Sequence, residues 1–180
     1  FNLNSVLCGA EGSLAFIAEA KLNVLRIPKF AALVNVKYDS FEASMRDATA
    51  LMDFEPTSIE TVDSKVLNLA MGDIIWDTVA DYFPVKEGEP EISGINLVEY
   101  TGDDEAEVQA KVAHLTDHLS AVAGEAGKSF GHSVVYGAGE INKVWAMRKK
   151  AVGLLGNAKG EKRPIPFVED TAVPPENLAD

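Results

Sequence analysis

The stretch FAALVNVKYDSFEASMRDATALM, Phe30 to Met52, decides the fold. Phe30 to Tyr38 is dense in apolar and β-branched side chains and reads as a buried strand. Asp39 followed three residues on by Glu42 forms a capping box. Phe41, Met45, Ala48 and Met52 then recur at helical spacing, which predicts a helix with those residues facing inward. Pro56 stops it, and Ser58 to Val62 is a short strand. The same succession returns downstream. Ile95 to Tyr100 is a strand, and Asp104 with Glu107 makes a second capping box. Val108, Val112, Leu115, Leu119 and Val122 draw a helix seam, Gly124 and Gly127 end it, and Phe130 to Tyr136 is the next strand. Two strand-helix-strand units amount to a degenerate internal repeat. The expected class is α+β, with ferredoxin-like repeats forming a mostly antiparallel sheet that carries helices on one face.

Between the repeats, a helix is expected from about Ser64, with Val66, Leu67, Ala70, Ile74 and Ile75 inward, pausing at Gly72 and finished by Pro84. Val85 to Glu91 is a surface loop by composition. Before the first repeat, Gly9-Ala10-Glu11-Gly12 is a tight turn, and Ser13 to Ile27 is apolar enough to read mostly as strand, closed by Pro28. After the second, residues 159–163 form a solvated turn. Pro164 to Val173 is extended and holds the acidic pair Glu169-Asp170. Pro174 and Pro175 stop it, and Asp180 falls in what reads as the start of another helix. Both ends look cut from something larger.

The 180 residues, 47% of them hydrophobic, suffice for one core or for a domain with an appendage. The formal net charge of −12 argues against nucleic-acid or anionic-membrane surfaces, which want clustered Lys and Arg. No apolar run reaches the roughly 20 residues that a membrane-spanning helix needs. Cys8 alone cannot form an internal disulfide and suits a reducing, cytoplasmic compartment. The N-terminus lacks a Met and a basic leader.

The chemistry narrows to GEINKVWAMRKKAVGLL, Gly139 to Leu155. As a helix it aligns Ile141, Val144, Trp145, Val152 and Leu155, and Arg148 falls within that stripe while Lys149 and Lys150 point elsewhere. A guanidinium keeps its charge, so turning it inward requires an anion. Either an internal carboxylate meets Arg148, or the helix lines a pocket and the anion is a ligand. Arg163, just before the extended tail, could supply a second anion contact or lie exposed. His114 and His118 stand four apart beside Lys111, away from the helix seam, and read as solvent-facing rather than metal-binding. His132 shares a strand face with Phe130, Val134 and Tyr136 and reads as a core histidine. No Ser or Cys sits in a recognisable nucleophile turn, so no catalytic residue is assigned within the chain.

Two stretches carry a family resemblance. Residues 9–20, GAEGSLAFIAEA, resemble the end of the flavin-binding domain in FAD-linked oxidases of the vanillyl-alcohol-oxidase class, where GSEGTLG precedes an apolar pair and TEA. VWAMRKKAVGLL and PFVEDTAVPPENLAD, residues 144–155 and 166–180, resemble the substrate domain of D-lactate and D-2-hydroxyglutarate dehydrogenases and the glycolate oxidase flavin subunit. There a Trp-x-x-Arg helix precedes a stretch ending in Asp-x-x-Val-Pro. The resemblance is nearest to the large bacterial forms with an appended iron–sulfur domain.

That resemblance implies an FAD-dependent dehydrogenase that oxidises a D-2-hydroxy acid of the 2-hydroxyglutarate or lactate type, with this chain as an internal fragment inactive by itself. Residues 1–28 would be the C-terminal edge of the FAD-binding domain and residues 29–180 a truncated substrate-binding (cap) domain. Arg148 is carried over as the substrate-carboxylate anchor, with Arg163 as a second contact. Gly9, Glu11, Gly12 and Ser13 are carried over as the wall facing FAD. Ala10 and Ala15 replace the usual Ser and Gly, and Val152 stands where some relatives carry a hydroxyl. The phosphate cradle, a divalent-metal motif and an iron–sulfur cluster are expected outside residues 1–180, with the electron acceptor undetermined. The protein is expected to be cytoplasmic, with the inner-membrane periphery open to it through that acceptor, and a homo-oligomer is compatible with the sequence. The competing reading is a non-catalytic α+β module that binds small acids or oligomerises, with Arg148 paired internally.

Overall fold

The computed structural model describes residues 2–156 and 172–180. Nine regular elements order the fold: α1 (Leu3–Cys8), β1 (Phe30–Tyr38), α2 (Phe41–Leu51), β2 (Ser58–Asp63), α3 (Ser64–Met71), β3 (Gly94–Gly102), α4 (Glu105–Val122), β4 (Gly131–Tyr136) and α5 (Ala138–Gly156). The four strands form one antiparallel sheet in the order β2-β3-β1-β4. β1 pairs with β3 from Phe30↔Gly102 to Tyr38↔Gly94, and β2 closes the far edge against β3. This is the split βαβ arrangement expected from the repeat, with α3 inserted between β2 and β3.

The pleat of β1 sorts the core. Ala32, Val34, Val36 and Tyr38 pack under the two repeat helices, α2 and α4, with Val108, Val112, Leu115 and Leu119. These two helices share one face, as the repeat requires. The opposite face is also covered. There Leu33, Leu97 and Val62 meet Leu67 and Ala70 of α3 and Ile141, Val144, Met147 and Ala151 of α5. A strand buried on both sides reads as a nearly continuous apolar run.

Several local expectations shift. The N-cap of α2 is Ser40, whose Oγ accepts from the Ala43 N–H at 3.3 Å, rather than Asp39. The helix is rotated accordingly: Ala43, Ser44, Asp47, Ala48 and Leu51 are buried, while Phe41 and Met52 are exposed. Polar partners decide this, because the Ser44 carbonyl and the Asp47 carboxylate bond to Asn96 and Tyr38 beneath the helix. Asp104 caps α4 through the Ala106 N–H at 2.9 Å. α3 ends at Gly72, after which short 3-10 turns take over, so Ile74 lies exposed instead of following the helical period inward.

The strand expected over Ser13–Ile27 does not form. No regular element covers residues 14–29, and Phe16, Leu22, Val24, Leu25 and Ile27 are exposed. A strand needs a neighbour for its backbone groups, and neither sheet edge extends to this segment. Beyond α5, Pro175–Asn177 forms a single 3-10 turn against α2, with Thr49 Oγ1 donating to the Pro175 carbonyl at 2.9 Å. Arg163, Glu169 and Asp170 lie outside the described residues.

Candidate carboxylate-binding site

α5 crosses the sheet face opposite to α2 and α4. Its inner stripe is Ile141, Val144, Met147 and Ala151, with Trp145 packed against it. Arg148 shares the angular position of Ile141 and Val144. At that turn, however, the helix has reached β2, the last strand of the sheet, and the guanidinium emerges at its open edge. The Arg148 side chain is therefore 40% exposed and not enclosed in the core, contrary to the expectation of an inward-turned charge.

Its ionic partner among the described residues is Glu60 of β2, whose Oε1 meets the Arg148 Nε. Glu60 points to the α5 face because it alternates with Ile59 and Thr61, which face α2. The pair borders a cleft of about 210 Å³ lined by Phe41, Glu60, Thr61, Val62, Asp63 and Val66 besides Arg148. Asp63 is committed to capping α3, accepting from the Val66 N–H at 2.8 Å, and Thr61 donates to Asn96 Oδ1 at 2.7 Å. The two alternatives for the arginine are thus both present: an internal carboxylate and an adjoining cleft. The cleft is smaller than the ~300–1,000 Å³ of drug-sized ligand sites but has room for a small acid. Neighbouring cations serve structure: Lys150 binds Asp73 at 2.7 Å, and Lys143 binds Glu140 at 2.7 Å.

A larger hollow of about 330 Å³ lies between α2, β2 and the C-terminal turn. Among the described residues its lining includes Met52, Ile59, Val173 and Leu178 and contains no charged group.

The turn Gly9–Ser13 stands apart from the arginine cleft. It is closed by the Ser13 N–H on the Ala10 carbonyl at 2.8 Å. Glu11 and Gly12 both take positive φ, 46° and 77°. Nothing lies within 4 Å of where a Cβ on Gly12 would sit. Such an open backbone lets another group approach closely.

His132 is half-buried, lining a second cleft with Lys37, Lys86, Glu89 and Phe130 at the β4 edge, the side of the sheet remote from Arg148. Desolvation first, then the charges of Lys37 and Lys86, hold its pKa below the ordinary value. His114 and His118 both pack on the Phe54 ring, at 5.0 and 4.8 Å between centroids. Among the described residues no group of three or more His, Cys, Asp or Glu could hold a metal ion, and no helix is long and apolar enough to cross a membrane.

Sequence reasoning missed Glu60 and Lys37. Glu60 was hidden in a short edge strand, where an acidic residue is ordinarily solvated. Lys37 interrupts the apolar run of β1, which was the signal that could have exposed it. It is buried, donating to the Pro84 carbonyl and to Glu89 Oε2, the latter at 3.0 Å.

A split βαβ sheet, with Arg148 and its carboxylate partner Glu60 bordering a cleft at the sheet edge, defines the class as an α+β domain. The profile of the family described as FAD linked oxidases, C-terminal domain, matches residues 27–180, and the chain belongs to that family. It is 61% identical over 180 residues to a D-2-hydroxyglutarate dehydrogenase of Pseudomonas putida, and 50% and 49% identical to proteins of that name from Haemophilus influenzae and Escherichia coli. Each match covers the whole of this chain but 18% of the relative's length.

Proposed function

We propose that this chain is the substrate-binding (cap) part of an FAD-dependent dehydrogenase that converts a D-2-hydroxy acid, of the 2-hydroxyglutarate type, to the 2-oxo acid. Residues 29–180 are the cap and residues 1–28 the edge of the flavin domain. The supporting observation is Arg148 at the mouth of a cleft, in a chain 61% identical along its full length to a protein named for that activity. A planar guanidinium suits a carboxylate bidentately, and charge-assisted bonds of this kind are the strong ones. Arg148 fixes the acid so that C2 is presented in one orientation. FAD, when bound, accepts the hydride from C2, while the hydroxyl proton leaves to a base that we do not assign to this chain. Gly9, Glu11, Gly12 and Ser13 line the flavin through their backbone, and Arg163 is a second carboxylate contact.

The family resemblance supports an iron–sulfur group and a divalent metal held outside these residues, and a cytoplasmic setting with a separate electron acceptor. The lactate and glycolate oxidase activities of related enzymes make shorter acids the next substrates to test, and self-association is open to the same study.

The Arg148–Glu60 pair favours a second reading, in which the arginine is internal and the domain binds no acid. One experiment separates them: Arg148→Ala in the full-length protein, assayed by flavin bleaching with D-2-hydroxyglutarate and then with shorter hydroxy acids. A large loss of kcat/KM with the flavin retained supports the anchor. Wild-type kinetics in that variant would leave only the internal pair.

A further inference from the structure

We infer that Glu60 is a positioning residue for the carboxylate anchor, an inference that rests on the reading of Arg148 given above. The geometry carries it. Glu60 meets Arg148 through Nε, the innermost nitrogen of the fork, and both side chains border the same cleft. Nε lies on the side of the guanidinium, so an acid can approach end-on at the two outer nitrogens while Glu60 keeps its contact. An arginine side chain with several rotatable bonds, 40% exposed at a sheet edge, would otherwise sample many rotamers. Glu60 stands on a paired strand with its neighbours committed: Thr61 to Asn96, Val62 to the core and Asp63 to the cap of α3. The paired strand thus holds Glu60 in register beside Arg148, and its carboxylate aligns the guanidinium before substrate arrives.

The alternative relation is competition, with Glu60 standing in for the substrate and leaving when it binds. The two relations give opposite signs. Positioning rests on the ion pair, so Glu60→Ala and Glu60→Gln both loosen the anchor and weaken substrate binding. Competition makes both substitutions tighten substrate binding.

The test is steady-state kinetics of the full-length protein with D-2-hydroxyglutarate, for Glu60→Ala, Glu60→Gln, Arg148→Ala and the double alanine variant. Positioning raises KM about two- to fivefold in Glu60→Ala, the worth of one partly exposed ion pair, with kcat within about twofold. Glu60→Gln, which removes the charge of the ion pair, raises KM likewise, and in the Arg148→Ala background the Glu60→Ala change adds nothing. A lowered KM in both single Glu60 variants overturns the inference. So does an unchanged KM in Glu60→Ala, or an equal effect with and without Arg148. Wild-type kinetics in Arg148→Ala is a separate failure, that of the anchor itself. Thermal unfolding of each variant accompanies the assay, because a merely structural Glu60 lowers stability without moving KM.

Discussion

Tyr38 of β1 donates its hydroxyl to Asp47 of α2 at 2.8 Å, and both groups are buried beneath the helix. Lys128 takes the other carboxylate oxygen at 2.8 Å, and Asn96 reaches the Tyr38 oxygen at 3.3 Å and the Ser44 carbonyl at 2.9 Å. Burial, and then the Asp47 charge, push the Tyr38 hydroxyl well above its ordinary pKa, so it remains a donor. This network sets the rotation of α2.

Removing Asp47 should therefore be among the costlier polar substitutions. Asp47→Ala leaves a buried hydroxyl and a half-buried ammonium without their acceptor, which we expect to cost about 3 kcal/mol. Tyr38→Phe removes one bond and should cost about 1 kcal/mol. Urea unfolding measures both, and an Asp47→Ala loss no greater than that of Tyr38→Phe would count against the network.

Lys37 ties the loop after Phe83 to the sheet. Its ammonium bonds to the Pro84 carbonyl and Glu89, with the Phe130 ring centroid 5.1 Å away. Lys37→Met leaves Glu89 with the Lys86 N–H alone and no cation, and we expect a loss of about 2–4 kcal/mol and faster amide exchange confined to residues 84–91. Exchange rates in that loop equal to wild type would show that the tie is dispensable.

How far the sequence carried can be read from individual residues. β1, β3 and the α4 seam were legible because each is a long apolar pattern with one period, and tertiary packing confirms it. α2 was misrotated because apolar periodicity favoured Phe41 and Met52, whereas Ser44 and Asp47 are drawn inward by partners from β1, β3 and Lys128 that no local pattern reveals. Residues 13–27 misled for a related reason: apolar composition states that a segment wants a partner, and among the described residues none is supplied. Arg148 was found because a charge broke an apolar stripe. Its partner Glu60 could not be, since the pairing joins residues on β2 and α5 brought together only by the sheet order.

Stability should fall on acidification in two stages. The folded-state pKa of His132 is depressed below 6.5 by desolvation and by Lys37 and Lys86, although Glu89 also faces its cleft. The unfolded chain then binds more protons, so the contribution of neutral His132 is complete above 6.5 and is lost as pH falls toward the folded pKa. Glu89 is depressed below 4.5, chiefly by the Lys86 N–H and then by Lys37. Its contribution is present above 4.5 and is lost as pH falls through the folded value. Tm against pH should decline below 6.5 and more steeply below 4.5, and His132→Asn should flatten only the upper part.

Gly94 opens β3 where α2 begins. A Cβ there would lie 2.7 Å from Ser44 Oγ and 3.2 Å from the Phe41 Cα. The hydroxyl can turn away but the backbone cannot, so Gly94→Ala should cost about 1–3 kcal/mol. Adding Ser44→Ala should recover only part of it, and full recovery in the urea midpoint would mean that the backbone contact is not limiting.

Arg148→Lys separates charge from shape at the proposed anchor. A lysine keeps the positive charge at the cleft but presents a point charge in place of a planar fork, and it gives Glu60 no side-on nitrogen. If the acid is gripped bidentately, Arg148→Ala should lower kcat/KM about 100-fold, the worth of roughly 3 kcal/mol of charge-assisted bonding. Arg148→Lys should recover less than half of that free energy, because Coulomb attraction in a half-exposed cleft is weakened by solvent. The measurement is kcat/KM for D-2-hydroxyglutarate at low and high salt. Lysine should show the stronger salt dependence, since its remaining contribution is mostly Coulombic and open to screening by ions. Full activity in Arg148→Lys would mean that positive charge alone holds the acid, and the alignment by Glu60 would then have nothing to act on.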